Sequence, residues 1–162
     1  MSGLRSRSDF LFCSYAYIFR LFHSESKRLD VKRFPYRPSM RLRTPAEYER
    51  VYAAGQRRGD RHLLIFAEIN GLETARCGIS VSRRHGNAVK RMRLKRLLRE
   101  AFRLAQHDLP QGFDFVLIPR QGSGAGLAEY GDSFVRLAGQ LAKSIRGHQR
   151  SKIEGRGSKI ES

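Results

Sequence analysis

The sequence predicts a mixed α/β domain. Three observations carry that expectation: a fully signposted helix over residues 45–54, two apolar stretches containing β-branched residues at 61–69 and 75–82, and a long amphipathic helix followed by a further apolar strand. A chain of 162 residues is long enough to bury one sizeable core. The expected organisation is a basic, disordered extension over residues 1–39, a single domain over 40–146, and a disordered tail over 147–162.

Within the extension, "FLFCSYAYIFRLF" (Phe10 to Phe22) is apolar but interrupted by Arg20, and is shorter than the roughly twenty residues a membrane span needs. Asp9 borders its start and no small-residue cleavage site follows, so neither an anchor nor a secretory signal is expected. The basic linker "KRLDVKRFPYRPS" leads to Met40, just ahead of the first well-formed element.

In "TPAEYERVYAAG", Thr44 is placed to cap a helix, Pro45 suits its first position, Glu47 completes a capping box and Gly55 ends it. Tyr48, Val51 and Tyr52 recur at i, i+3 and i+4 and share one face. That face either packs on a core or offers tyrosine rings to RNA, and spacing alone leaves both open.

"RHLLIFAEI" and "ARCGISVS" then read as two strands, joined by a hairpin-like connection whose tight-turn signal is Asn70-Gly71. Phe113 to Ile118 is a short apolar strand stopped by Pro119. The glycine-rich "QGSGAG" after it lacks the Lys-Ser/Thr ending of a phosphate-binding P-loop and reads as a flexible connector. Leu127, Tyr130, Phe134, Leu137, Leu141 and Ile145 recur at helical spacing and predict a closing helix that covers the core.

Charge narrows the function. Lys and Arg number 32 against 15 Asp and Glu, a formal net charge of +17 with a sequence pI of about 11.0. A polyanion, either nucleic acid or an anionic membrane surface, is the partner such a surface suits. Cys13 and Cys77 lie far apart in no metal-ligand spacing and read as free thiols in a reducing, cytoplasmic setting.

The charge concentrates in "HGNAVKRMRLKRLLREAFR", His85 to Arg103. At 100° per residue, Leu94, Leu97, Leu98, Ala101, Phe102 and Ala105 fall within an arc of roughly 140°, a core-facing stripe. Arg96, Arg99 and Arg103 lie opposite, with Lys95 on the flank. Lys90, Arg91 and Arg93 crowd the first turns, where the helix dipole disfavours cations by on the order of a few tenths of a kcal/mol each. Solvated helix faces mix signs, but only Glu100 offsets this run; guanidinium groups on a rigid helix suit bidentate phosphate contact. Arg83 and Arg84 extend the patch, Gly86 permits a sharp entry and Asn87 can cap the helix.

The segment "GISVSRRHGNAVKRMRLKRLLREAFR" resembles the signature of the bacterial ribonuclease P protein component, and the likeness extends back to "EYERVYAAGQRR" and forward to "DFVLIPR", over roughly residues 41–145. The resemblance implies an α/β fold, an α+β sandwich of topology αβββαβα, with a four-stranded mixed sheet and a left-handed βαβ crossover, a hand that general rules make rare. It implies a protein subunit of the ribonucleoprotein endonuclease that removes the 5′ leader from precursor tRNA, one protein per catalytic RNA. Carried over by position, Arg91, Arg93 and Arg96, with Arg83, Arg84, Asn87 and Lys90 nearby, match the region that binds the RNA subunit. Tyr48, Tyr52 and Phe66 match aromatic positions of a leader-binding cleft, and Arg61, Lys95 and Arg99 match basic positions around it. Met92 departs from the pattern, standing where the family has the asparagine of Arg-Asn-Arg.

A nuclease acting through its own metals needs converging carboxylates. The sparse acids here, Asp108, Asp114 and Glu100 among them, show no ligand set, and the histidines, including His62, His85 and His107, form no metal-binding pattern. The expectation is a protein without catalytic or metal-binding residues, with Mg²⁺ and the hydrolysis in the RNA partner. The competing reading is a ribosomal or general RNA-binding protein with no linked reaction.

Overall fold

The computed structural model describes residues 35–157, with side chains through residue 150. Its first helix, α1, spans Pro45–Ala53 and is closed at its start by a complete capping box: Thr44 Oγ1 accepts from the Glu47 amide at 3.3 Å, and Glu47 Oε2 accepts from the Thr44 amide at 2.9 Å. Gly55, at φ 68°, takes the chain out of the helix. There follow β1 (Arg57–Gly59), β2 (Leu63–Ile69), β3 (Arg76–Ile79), α2 (Ala88–Ala105), β4 (Phe113–Pro119) and α3 (Leu127–Gly157). The expected order αβββαβα is therefore the observed one.

The strands form one sheet in the order β1-β2-β4-β3, with β1/β2 and β2/β4 antiparallel and β3/β4 parallel. This corrects the expected hairpin between residues 61–69 and 75–82: those strands are separated by β4, and the sheet's hairpin joins β1 to β2. Every residue of β4 from Phe113 to Leu117 is buried, which suits a central strand, whereas β2 alternates. Asn70 does make a tight turn, accepting from the Leu72 amide at 2.8 Å, but the Asn70 amide also donates to the Gly112 carbonyl at 3.0 Å and so ties the turn to the start of β4. β1, "RRG", is fully exposed and carries no apolar alternation, so only its pairing identifies it.

On the inner face, Leu63, Ile65 and Ala67 of β2 and Phe113, Phe115 and Leu117 of β4 meet Leu98 and Phe102 of α2 and Tyr130, Phe134, Leu137 and Leu141 of α3. Phe115 and Phe134 pack edge to face with ring centres 5.5 Å apart. The outer face carries a smaller cluster in which Val51 of α1 covers Val116 of β4, beside Tyr48, Tyr52, Phe66 and Ile118.

Two boundaries differ from expectation. The packed domain begins before residue 40: the Tyr36 ring lies edge-on to Phe102 at 5.3 Å, and the Leu42 amide donates to the Cys77 carbonyl at 3.1 Å along the edge of β3. At the other end α3 continues past Ile145 to Gly157, into the segment expected as a disordered tail. No proline interrupts it, and extending an existing helix costs far less than nucleating one. Residues 1–34, including Phe10 to Phe22 and Cys13, and residues 158–162 lie outside the described residues. No helix among the described residues is long and apolar enough to cross a membrane.

Candidate nucleic-acid interface

The basic helix is built to present cations. Asn87 caps α2, its side chain accepting from the Lys90 amide at 3.0 Å. Gly86 enters at φ 109°, a conformation that L side chains rarely adopt, and a Cβ there would meet the Lys90 stem at 3.1 Å. Before it, Arg83–His85 form a single 3₁₀ turn, riveted to the sheet by His85, whose Nε2–H donates to the Pro119 carbonyl at 2.9 Å. Arg83, Arg84, Asn87, Lys90, Arg93 and Arg96 are all exposed, and Arg91 is half-buried with its Nε unbonded.

Glu100, the one carboxylate on α2, is taken by Arg103, which meets it through two bonds of 2.9 and 2.5 Å. Among the described residues, Lys90, Arg93, Arg96 and Arg99 have no ion-pair partner. Beside them Val89 and Met92 are 76% and 52% exposed, and with Arg93 and Arg96 they line a shallow depression of about 430 Å³. A face with unneutralised cations and apolar steps is suited to phosphates and sugar or base surfaces together.

The residues expected around a second cleft fall in three places. Tyr48, Tyr52 and Phe66 come together under α1 on the outer face of the sheet. Their roles separate there. Tyr48 accepts from the Ile79 amide at 3.1 Å and lies so close over Gly78 that a Cβ would meet its ring at 2.8 Å; it is a packing residue, and burial raises its phenol pKa. Tyr52 packs edge-on to Phe66 at 5.0 Å, both half-buried, and the pair keeps accessible ring surface.

Lys95 and Arg99 sit instead on the flank of α2, on the inner side of the sheet, where the Arg99 charge lies close to Tyr36 and Cys77. Arg61 is set apart from both, in the β1–β2 turn beside His62, with its charge near Glu129 at the start of α3. The structure supplies other cations to the aromatic pair. Arg57 is the cross-strand partner of Phe66, and the Arg120 guanidinium lies over Gly59, the partner of Leu64. Along the β3 edge the Arg41 guanidinium covers the Tyr36 ring at 4.4 Å. Arg57 was not legible because nothing in "RRG" marks a strand; Tyr36 and Arg41 lay on either side of an expected domain boundary.

The acidic groups have structural duties. Asp114 is buried beneath α1, where Arg76 grips it through two bonds of 2.7 and 2.5 Å, Arg50 adds one of 2.5 Å and Asn70 one of 2.8 Å. With both oxygens so engaged, this carboxylate has no room left for a cation. Glu47, bonded to the Thr44 and Arg43 amides, has its pKa lowered to about 2 by those hydrogen bonds, and it also pairs with Arg76 at 2.8 Å. Among the described residues no three His, Cys, Asp or Glu side chains converge as metal ligands. Cys77 is a buried free thiol whose pKa burial pushes up.

Comparison with known proteins places this geometry. The Ribonuclease P family profile matches residues 36–142. The ribonuclease P protein component of Oleidesulfovibrio alaskensis is 45% identical over 87 residues, 52% of this chain and 69% of that one. That of Caldanaerobacter subterraneus subsp. tengcongensis is 41% identical over 80 residues, 49% of this chain and 69% of its own. Among solved structures, the RNase P protein from Thermotoga maritima superimposes with a TM-score of 0.56 at 30% identity, covering 60% of this chain and 94% of that one. The Staphylococcus aureus RNase P protein gives 0.55 at 28% identity, over 64% and 95%.

Proposed function

The chain belongs to the ribonuclease P protein family and is the accessory protein subunit of an endoribonuclease in tRNA 5′ processing, partnered with an RNA subunit, and from that premise we propose how its surfaces divide the work. The exposed cations of the 3₁₀ turn and the leading half of α2 bind the RNA subunit: Arg83, Arg84, Asn87, Lys90, Arg93 and Arg96, with Arg91 behind them. The observation that carries this reading is that Lys90, Arg93 and Arg96 stand on a rigid, capped helix with no carboxylate among the described residues to neutralise them. Each phosphate they engage releases counterions and adds to affinity.

The precursor's 5′ leader runs over the outer face of the sheet, its bases resting on the Tyr52–Phe66 pair and its phosphates near Arg57 and Arg120. Lys95 and Arg99 approach the same strand from across the β3 edge, beside Arg41 and Tyr36, while Arg61 serves at the far rim. One protein binds one RNA in the cytoplasm. Among the described residues the donor set does not fit a resident metal, because Asp114 is saturated and no three His, Cys, Asp or Glu side chains converge; Mg²⁺ held by the RNA partner supplies the hydrolytic chemistry. The protein orients the substrate and offsets phosphate repulsion, which is worth most when Mg²⁺ is scarce.

Reconstitution tests the division. At low Mg²⁺ the RNA subunit should cleave precursor tRNA faster with this protein than without it. With Tyr52→Ala the holoenzyme should lose affinity for precursor tRNA by about 1–3 kcal/mol, the worth of one stacked base, and little for mature tRNA. Equal losses for both would assign Tyr52 to packing alone. A general RNA-binding protein would leave the cleavage rate unchanged.

A further inference from the structure

Beside the leading turns of α2, opposite the Lys95–Arg99 flank, a cavity of about 640 Å³ opens between the helix and the loop that follows β4. This volume is within the ordinary range for small-ligand sites. One wall is apolar, formed by Leu94 and Leu97 of α2, with Ala125 across from them. Arg84, Lys90, Arg93 and Arg120 border it, all exposed, and no carboxylate lines it.

The glycine-rich stretch of the loop, which the sequence offers only as a connector, is held in shape. The Gln121 side-chain amide donates to the Arg84 carbonyl at 2.8 Å, tying the loop to the 3₁₀ turn. Ser123 Oγ and the Tyr130 hydroxyl share a hydrogen bond of 3.0 Å, tying it to α3. Gly122 and Gly124 take φ of 72° and 58°, and a Cβ at either would meet nothing within 4 Å. Glycine is thus required there by the path of the backbone and not by crowding.

We propose that this cavity receives one unpaired nucleotide of the RNA subunit, its base against Leu94, Leu97 and Ala125 and its phosphate among Arg84, Lys90 and Arg93. The combination of chemistries selects that occupant. A phosphate alone would need no apolar wall, and an apolar peptide would gain nothing from four cations that have no ion-pair partner among the described residues. Unpaired RNA nucleotides present a flat apolar base and a charged phosphate within one residue, and single-stranded positions are where proteins reach RNA bases most readily. The proposal rests on the assignment of α2 to the RNA subunit and adds to it a discrete base-binding pocket.

The test measures affinity of the full-length chain for the RNA subunit across a range of salt. Ala125→Trp fills the cavity without altering charge, and it should weaken binding by about fivefold or more while leaving the log–log salt slope unchanged. Arg84→Ala should instead lower the magnitude of that slope by about one. Arg96→Ala, outside the cavity, reports on the α2 assignment itself. If Arg96→Ala weakens binding and Ala125→Trp does not, the pocket is overturned and the assignment stands; if neither does, both fall. Should Ala125→Trp fail to fold, the wild-type chain decides through its amide NMR signals. Uridine or adenosine monophosphate at millimolar concentration should shift those of Gly122 and Gly124 more than inorganic phosphate does. Equal shifts from phosphate, or none from either nucleotide, would overturn the proposal.

Discussion

Met92 stands in the space between cations, 52% exposed. Its neighbours settle what it does not do: the core stripe of α2 is filled by Leu98, Ala101, Phe102 and Ala105, so this thioether packs against nothing internal. With Val89 it makes an apolar step that a ribose or base face can rest on. A neutral hydrogen bond is worth only about 0.5–1.5 kcal/mol net, so Met92→Asn should change affinity for the RNA subunit by no more than that, in either direction. Arg93→Ala removes a formal charge instead, and should both cost more affinity and reduce the salt slope by about one. Titrations of the two variants over a salt series separate these effects, and a larger loss from Met92→Asn would reassign the face.

At the scale of elements, the segment from Tyr36 to Leu42 works as a clasp on β3. The Tyr36 hydroxyl reaches the Cys77 carbonyl at 3.5 Å, the Arg41 guanidinium donates to the Tyr36 carbonyl at 3.1 Å, and Arg41 bridges to Cys77 in parallel register. A chain beginning at Met40 loses the aromatic pair with Phe102. It should be about 1–3 kcal/mol less stable in urea unfolding than one beginning at residue 35, from the ring's burial and its edge-on contact. Equal midpoints would show that the clasp contributes nothing.

The start of α1 carries a pH signature. Because Glu47 has its pKa lowered to about 2 from an ordinary 4.5, its contribution is fully present above pH 4.5 and is lost as pH falls toward 2. The melting temperature of the wild type should therefore fall toward that of Glu47→Ala across this window, and a gap that stayed constant would contradict the assignment.

The elements that sequence made legible are those that carry their own signals. The box of Thr44, Pro45 and Glu47, the leucine stripe of α2 and the apolar run of β4 each declare themselves within a dozen residues. The strand order did not, since Asn70-Gly71 looks the same whether its flanking strands pair directly or admit a third between them. The basic helix of the site was legible for the same local reason. The company kept by Tyr52 and Phe66 depended on β1, which only its long-range pairing defines, and the cavity beside α2 depended on a loop whose shape comes from Gln121 and Ser123 reaching distant partners.

For the whole molecule, a net charge of +17 makes two salt effects run in opposite directions. Affinity for RNA falls as salt rises, because less is gained by releasing counterions. The free protein should become more stable over the same range, because its exposed cations repel one another and salt screens that repulsion within about 10 Å at 0.1 M. Melting temperatures of the free chain at low and high salt test this, and a decline with salt would place the repulsion in the unfolded ensemble instead.

The sheet order has a temporal consequence. β4 pairs with β2 on one side and β3 on the other, yet it is the last strand among the described residues. During synthesis, β2 and β3 leave the ribosome without their shared neighbour, and the whole of the arginine-rich α2 must follow before residues 113–119 can slot between them. The nascent chain thus passes through an interval in which two strand edges are open and its densest cationic segment is already exposed, among the nucleic acids that surround every ribosome. Pairing across such separations is slow to form, and open edges invite mispairing while it is pending. For a protein of this strand order, any RNA taken up by α2 in that interval is bound before the sheet is complete.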